Sequence, residues 1–368
     1  MAFATVQVVI TKKFRSVPET LVLLRDFYCI FTCSRSLFLL HNTQKEKIVM
    51  IFLNIFLLLV GFVLLIKGAD FFVDGASSIA RIIGIPGFVI GLTVVAMGTS
   101  APEAAVSITA SVSGSNALSI SNVIGSNMFN LLVVAGLCAV IKPYKIEKTL
   151  LKRDFPINVG LCGVLLLMIY IGEGLGRIDG IVLLVGIVSY VAFVVISAFK
   201  NRESQPTEGV KKLSPIVSIL FIIGGLAAII GGGQLVVKNA TAIATALGWS
   251  ESFIGLTIVA IGTSLPELVT SVVAARKGEN GLALGNVIGS NLFNILFILG
   301  LSATISPIAF NDLAVFSDAI INGMILLGVT GIVFIPCAIK KGMGRIVGSV
   351  CVAGYVAYTI YLLLTTVK

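Results

Sequence analysis

The sequence predicts an all-α membrane protein: ten transmembrane helices arranged as two inverted five-helix repeats. Three observations predict it. The 368 residues are 57% hydrophobic and only 12% charged, with mean hydropathy +1.08, whereas a soluble domain is nearer a quarter charged. Apolar runs of about 20 residues recur, each long enough as a helix to cross a ~30 Å hydrocarbon core. The chain after Met50 also repeats itself at a fixed offset.

The repeat is explicit. "GLTVVAMGTSAPE", ending at Glu103, returns as "GLTIVAIGTSLPE", ending at Glu267. "NVIGSNMFN", ending at Asn130, returns as "NVIGSNLFN", ending at Asn294. Both pairs are offset by 164 residues, and 23 of the 40 positions from Gly91 to Asn130 are identical to their mates. The same offset pairs Gly61 with Gly225, Pro143 with Pro307 and Asp154 with Asp318.

The elements follow in order. Residues 1–49 are basic and irregular, with apolar runs broken by Arg25 and Arg35. No cleavage site marks a targeting segment, so the expectation is a poorly ordered stretch and a true first residue at Met50. The first repeat occupies 50–199, with spans near 51–82, 87–112, 121–141, 155–173 and 179–199. A polar linker fills 200–213. The second repeat occupies 214–368, with spans near 214–246, 252–276, 284–305, 315–338 and 346–366. Gly84-Ile85-Pro86 and Gly248-Trp249-Ser250 punctuate the first two spans of each repeat. An odd number of spans per repeat makes the second copy enter from the opposite side, giving an inverted pair.

The net charge of +9 sits mostly in short loops, so it implies orientation in a membrane rather than a nucleic-acid partner. Loop basic residues cluster at Arg81, Lys142–Arg153, Lys200–Lys212, Arg276–Lys277 and Lys340–Arg345; Arg177 and Lys368 lie opposite. The basic side is cytoplasmic by the positive-inside rule, which places both termini outside the cell membrane. Histidine-based catalysis is excluded in practice, because His41 is the only His. The six Cys show no metal spacing; those in apolar runs read as small hydrophobes.

The duplicated motif carries the chemistry. A carboxylate at the bilayer centre costs ~2.5–3.5 kcal/mol on insertion scales, and is tolerated where it faces a cavity or a cation. Thr99, Ser100 and Glu103 fall on one helical face. Pro102 lacks an N–H, so the Gly98 carbonyl four residues back is freed and the helix kinks. Gly262, Thr263, Ser264, Pro266 and Glu267 repeat the arrangement. On the next helix Ser126 and Asn130, mirrored by Ser290 and Asn294, add oxygen at i, i+4. Gly125 and Gly289 would admit close helix approach.

A lone Ser or Thr in a membrane helix more often bonds its own backbone, and a lone Pro is commonly only a kink. The duplicated constellation at fixed spacing points instead to a cation site. Glu103 and Glu267, meeting about a pseudo-twofold axis, would give hard oxygen ligands with a formal charge of −2. Calcium takes about 6–8 oxygens and sodium also accepts oxygen, while soft ions would want sulfur or imidazole. Asp70, Asp74, Asp154 and Asp318 read as interfacial or packing residues, and Lys67 and Lys238 as snorkelling ones.

These paired motifs resemble the two alpha-repeats of the cation/calcium exchanger superfamily, in particular the prokaryotic sodium/calcium exchangers. The resemblance spans about residue 51 to the C-terminus. It implies a ten-helix antiporter, not an enzyme, that exchanges Ca2+ for Na+ by alternating access, with no cofactor beyond the transported ions. Carried over by motif position, calcium would use the carboxylates of Glu103 and Glu267 and the backbone oxygens of Thr99 and Thr263. Flanking sodium positions would use Ser100, Ser126, Ser264, Ser290 and the carbonyls of Ala96 and Ala260. Asn130 completes the cluster. At Asn294 some relatives carry Asp, so this chain lacks a third carboxylate. A Ca2+/H+ antiporter or a K+-dependent Na+/Ca2+ exchanger of the same superfamily is the alternative. A channel, an intramembrane enzyme and a structural scaffold fit the inverted, charged midplane cluster less well.

Overall fold

The computed structural model describes residues 22–200, 213–248, 258, 260–310 and 312–366. Helix α1 (Val22–Ile83) contains the apolar span Val49–Ile83; α2 (Gly87–Thr99) and α3 (Ala101–Val112) form a pair bent by 50°. There follow α4 (Asn116–Ile141), α5 (Leu150–Gly172) and α6 (Arg177–Lys200). The second repeat supplies α7 (Pro215–Ala246), the short α8 (Ala260–Thr263), α9 (Leu265–Lys277), α10 (Asn280–Ile305), α11 (Leu313–Lys340) and α12 (Arg345–Thr366).

Among the described residues eight helices are long and apolar enough to cross a membrane, and the bent α2–α3 pair makes a ninth. The remaining expected span, 252–276, includes residues outside the described set; α8 and α9 are its described part. Of the segment expected to lack order, residues 1–21 lie outside the described set, and the backbone is helical from Val22. The linker residues 201–212 also lie outside it. The chain forms two compact units, Met1–Asn54 and Ile55–Lys368, and the packing and site below belong to the second.

Burial separates centre from periphery. The most apolar windows of α4 and α10 are 78% and 94% buried, against 11–28% for the other single-helix spans. The two helices that carry the Ser-Asn motifs are therefore the core, and α1, α5–α7, α11 and α12 turn most of their apolar surface to lipid. Two antiparallel strand pairs close the ends. β1 (Tyr144–Lys145) pairs with β4 (Gly342–Met343), and β2 (Gly174–Leu175) pairs with β3 (Ile308–Ala309). Each joins a loop of one repeat to a loop of the other.

Lipid tails are as apolar as Leu, so close helix packing in a bilayer needs small residues rather than greasier ones. The first spans of the two repeats meet through a seven-residue period on each side. A Cβ on Gly61 would stand 2.9 Å from the Gly232 carbonyl, one on Gly68 2.9 Å from that of Gly225, and one on Gly75 2.6 Å from that of Ser218. The partner numbers fall as the α1 numbers rise, so α1 and α7 are antiparallel with backbones nearly touching. On α10, a Cβ on Gly289 would lie 2.7 Å from Leu92 Cα. At Gly125, the other position expected to allow close approach, an added Cβ would meet no other described helix within 4 Å.

One end of the second unit carries ion pairs between α1 and the α9–α10 hairpin. Arg81 pairs with Glu279. Lys277 Nζ lies 2.7 Å from Asp74 Oδ1 and 3.4 Å from Asp70 Oδ1, and donates to the Asp70 carbonyl at 2.9 Å. Asp154 is fully buried; it accepts from Arg153 Nε at 2.8 Å and from the Tyr190 hydroxyl at 2.9 Å, joining α5 to α6. Asp318 accepts at its carbonyl from Asn322.

Candidate functional site: a duplicated oxygen cluster

The helix does not kink smoothly through the first motif but stops and restarts. Ser100, at φ −82°, ψ 8°, separates α2 from α3, and Ser264, at φ −91°, ψ 7°, separates α8 from α9. Proline is tolerated in a helix's first turn, where its missing N–H has no partner to lose, and Pro102 and Pro266 sit there. The break therefore falls at the serine, later than the Gly98 carbonyl where the proline alone would put a kink. Leu226 and Val237 of α7 pack onto Gly98 and Gly262.

The break brings the two copies together in a crossed pattern. Ser100 Oγ donates to Glu267 Oε1 at 2.9 Å, and Ser264 Oγ donates to Glu103 Oε1 at 2.8 Å. Each carboxylate is thus held by the serine of the other repeat. Ser264 Oγ also lies 3.2 Å from Ser126 Oγ. Glu103 is 1% exposed and Glu267 0%. Among the described residues no third His, Cys, Asp or Glu joins them.

The second motif closes the cluster. Asn130 and Asn294 each open a π-helical turn, Asn130–Val134 in α4 and Asn294–Leu299 in α10, a local widening that recurs at functional sites. Asn130 Nδ2 donates to Asn291 Oδ1 at 3.2 Å, and Asn294 Nδ2 donates to Asn127 Oδ1 at 2.9 Å. Five buried oxygens of the cluster then remain without a hydrogen-bond partner: the Ser290 hydroxyl and four pure acceptors, Oε2 of Glu103 and Glu267 and Oδ1 of Asn130 and Asn294. A buried polar atom without a partner costs about 1–3 kcal/mol. Four acceptors of this kind, two from each repeat and two of them on carboxylates, form an oxygen set of the kind a hard cation takes.

The other expected residues divide. Ser126 and Ser290 are buried in the same layer. The Thr99 hydroxyl lies within reach of the Val95 carbonyl and of Asn286 Oδ1, each at 3.1 Å, and carries one proton to share between them. The Ala96 carbonyl accepts the Ser100 N–H at 3.0 Å. Thr263 is buried at 7% exposure, and Ala260 opens α8.

Three further mirror pairs were not singled out from sequence. Asn122 Nδ2 donates to Ser107 Oγ at 2.9 Å and to the Glu103 carbonyl at 3.4 Å; Asn286 Nδ2 donates to Ser271 Oγ at 2.9 Å and to the Glu267 carbonyl at 3.5 Å. Asn127 and Asn291 form the clasp just described. All six residues lie among the identities shared by the repeats, and a polar residue kept in both copies of an apolar stretch is the signal that could have found them.

A family model described as sodium/calcium exchanger protein matches residues 53–199 and again 217–364. The inner membrane protein YrbG of Escherichia coli (strain K12) is 38% identical over 312 residues, covering 82% of this chain and 94% of its own. The sodium/calcium exchanger MaX1 of Methanosarcina acetivorans is 34% identical over 355 residues, covering 85% and 99%. A structure of the sodium-calcium exchanger NCX_Mj soaked with Na+ and Ca2+ superposes with a TM-score of 0.73 at 31% identity, over 86% of this chain and 99% of that one.

Proposed function

The chain belongs to the sodium/calcium exchanger family, and on that premise we propose that it is a secondary-active antiporter exchanging Ca2+ for Na+ across the cell membrane by alternating access. Membership makes it a multi-pass membrane cation exchanger rather than an enzyme. The sodium–calcium pairing, the ligand roles and the sidedness belong to the proposal. One observation carries it: the four unpartnered acceptor oxygens of Glu103, Glu267, Asn130 and Asn294.

Charge dictates the mechanism. Two carboxylates are neutralised by one Ca2+ or by two Na+, and holding both sets at once would overfill the cluster. The ions therefore compete, and sodium entering down its gradient releases calcium to the side then open. Ser100, Ser264, Ser126 and Ser290, with the carbonyls of Ala96 and Ala260, supply the sodium positions; the backbone oxygens of Thr99 and Thr263 complete calcium's shell. The crossed serine bonds mean that an ion reorganises both repeats together. α1 and α7, in backbone contact with each other, slide as a pair along the broken helices and expose the cluster to one side at a time. An exchange of unequal charge adds ~2.3 kcal/mol per elementary charge per 100 mV.

The basic loops put the α1–α9 ion-pair end in the cytoplasm and both termini outside. The test is calcium uptake into proteoliposomes preloaded in turn with sodium, potassium or protons. Uptake driven by the sodium gradient alone is expected. Uptake driven only by a pH gradient replaces sodium with protons, and a strict need for potassium makes the exchange K+-dependent.

A further inference from the structure

We propose that Asn127 and Asn291 are positioning residues that fix which end of the Asn130 and Asn294 amides faces the ion, and so keep the cluster at two negative charges. This rests on the cation-site reading above.

The argument starts from two backbone carbonyls, which can only accept. Asn127 lies near the Asn291 carbonyl, with its side chain 3.3 Å away, and Asn291 lies 3.4 Å from the Asn127 carbonyl. Each contact requires an amide nitrogen, so Nδ2 of both residues is assigned as the donor. Their Oδ1 atoms must then face the other way. Asn127 Oδ1 meets Asn294 and Asn291 Oδ1 meets Asn130, at 2.9 Å and 3.2 Å. An oxygen can be met only by a donor, so Asn294 and Asn130 each turn Nδ2 to the clasp. Their own Oδ1 atoms are left over, buried and unpartnered.

Polarity thus passes from backbone to clasp to site in both copies. All four asparagines are at most 1% exposed, so no water competes for the assignment. Two neutral amides that could flip become two oriented oxygen ligands. The wiring also opposes a carboxylate at 294. An Asp there would set an acceptor against Asn127 Oδ1, and relieving the clash would take Nδ2 of Asn127 away from the Asn291 carbonyl.

The experiment measures calcium exchange in sodium-loaded proteoliposomes as a function of external calcium. Asn127→Leu and its mirror Asn291→Leu each raise the half-saturating calcium about tenfold or more, with a smaller effect on the maximal rate. Because Asn127 acts through Asn294, the double variant Asn127→Leu/Asn294→Leu has the same calcium dependence as Asn294→Leu alone. A purely structural role instead gives additive losses or a lower maximal rate at unchanged half-saturation, and either overturns the proposal. Asn127→Ala covers the case in which leucine does not fold. It removes both the donor to the Asn291 carbonyl and the acceptor for Asn294, so half-saturation again rises about tenfold, and an unchanged value overturns the proposal. Glu103→Gln is run beside them: if it too leaves exchange intact, the cation-site reading itself fails, whereas its loss with an unchanged Asn127→Leu curve refutes the positioning role alone.

Discussion

Glu103→Gln is the sharpest perturbation, because it changes charge with almost no change of shape. The carbonyl oxygen of the new amide takes the place of Glu103 Oε1 and keeps the 2.8 Å bond from Ser264. The amide nitrogen takes the place of the unpartnered Oε2, turning an acceptor into a donor aimed at the ion. The site falls from two negative charges to one. A unit-charge pair ~4 Å apart in an effective dielectric of ~20 is worth ~4 kcal/mol. A divalent ion therefore loses ~8 kcal/mol and a monovalent ion ~4 kcal/mol. The two sodium ions that replace one calcium lose as much together, so the charge loss weakens binding of the cargo itself, calcium by about five to six powers of ten on this scale, rather than switching selectivity. Sodium-driven uptake of radiolabelled calcium into proteoliposomes should fall to background while the variant purifies and unfolds like the wild type. Glu267→Gln, whose carbonyl keeps the Ser100 bond, should behave alike. A folded Glu103→Gln protein that exchanges calcium at the wild-type rate would refute the electrostatic reasoning outright.

Other expectations follow from single contacts. Ser264→Ala removes the donor to a buried carboxylate and should cost ~1.5–3 kcal/mol of stability in the ion-free protein, read by thermal unfolding in mild detergent. Gly225→Ala puts a Cβ 2.7 Å from the Gly68 carbonyl and should cost about 1–3 kcal/mol as overpacking; its neighbour Gly224, with nothing within 4 Å, should accept Ala unchanged, and equal effects at both would discount the α1–α7 contact. Partial burial pushes the Glu147 carboxyl, in the loop between α4 and α5, up to about 6. A raised folded value means stability present below its usual 4.5 and lost as pH climbs through about 6. Glu147→Gln should therefore stabilise at pH above about 6, by less than ~1 kcal/mol for so exposed a group, and do nothing at pH below 4.5.

The repeat, the two acidic motifs and the apolar spans were legible because each is a string: identity at a fixed offset, or twenty apolar residues, survives without coordinates. What the helical wheel could not give was the break. Thr99 and Glu103 share a face only if the helix runs on through Ser100. Once it stops there, the Thr99 hydroxyl turns to Val95 and Asn286 while Ser100 reaches the other repeat. The π-helical turns at Asn130 and Asn294 were equally silent, since one extra residue per turn leaves no compositional mark. Asn127 and Asn291 stood in plain sight inside "GSNMFN" and "GSNLFN", but their role depends on pairing across 164 residues, which no local spacing reveals. Asp154 reads from the sequence as an interfacial or packing residue, but its partner Tyr190, 36 residues away on the next helix, is not legible there.

The ion pairs of Arg81 and Lys277 are not duplicated. At the same offset, Asp70, Asp74 and Arg81 become Gln234, Lys238 and Thr245, while Lys277 and Glu279 correspond to Ser113 and Ser115. In a perfectly twinned carrier, trading the shapes of the halves would reverse its orientation at no net energy. Any preference for one orientation must come from what the twins do not share. These salt links are such a difference, a thumb on one pan of an otherwise level balance, and they make the resting orientation sensitive to ionic strength at that face.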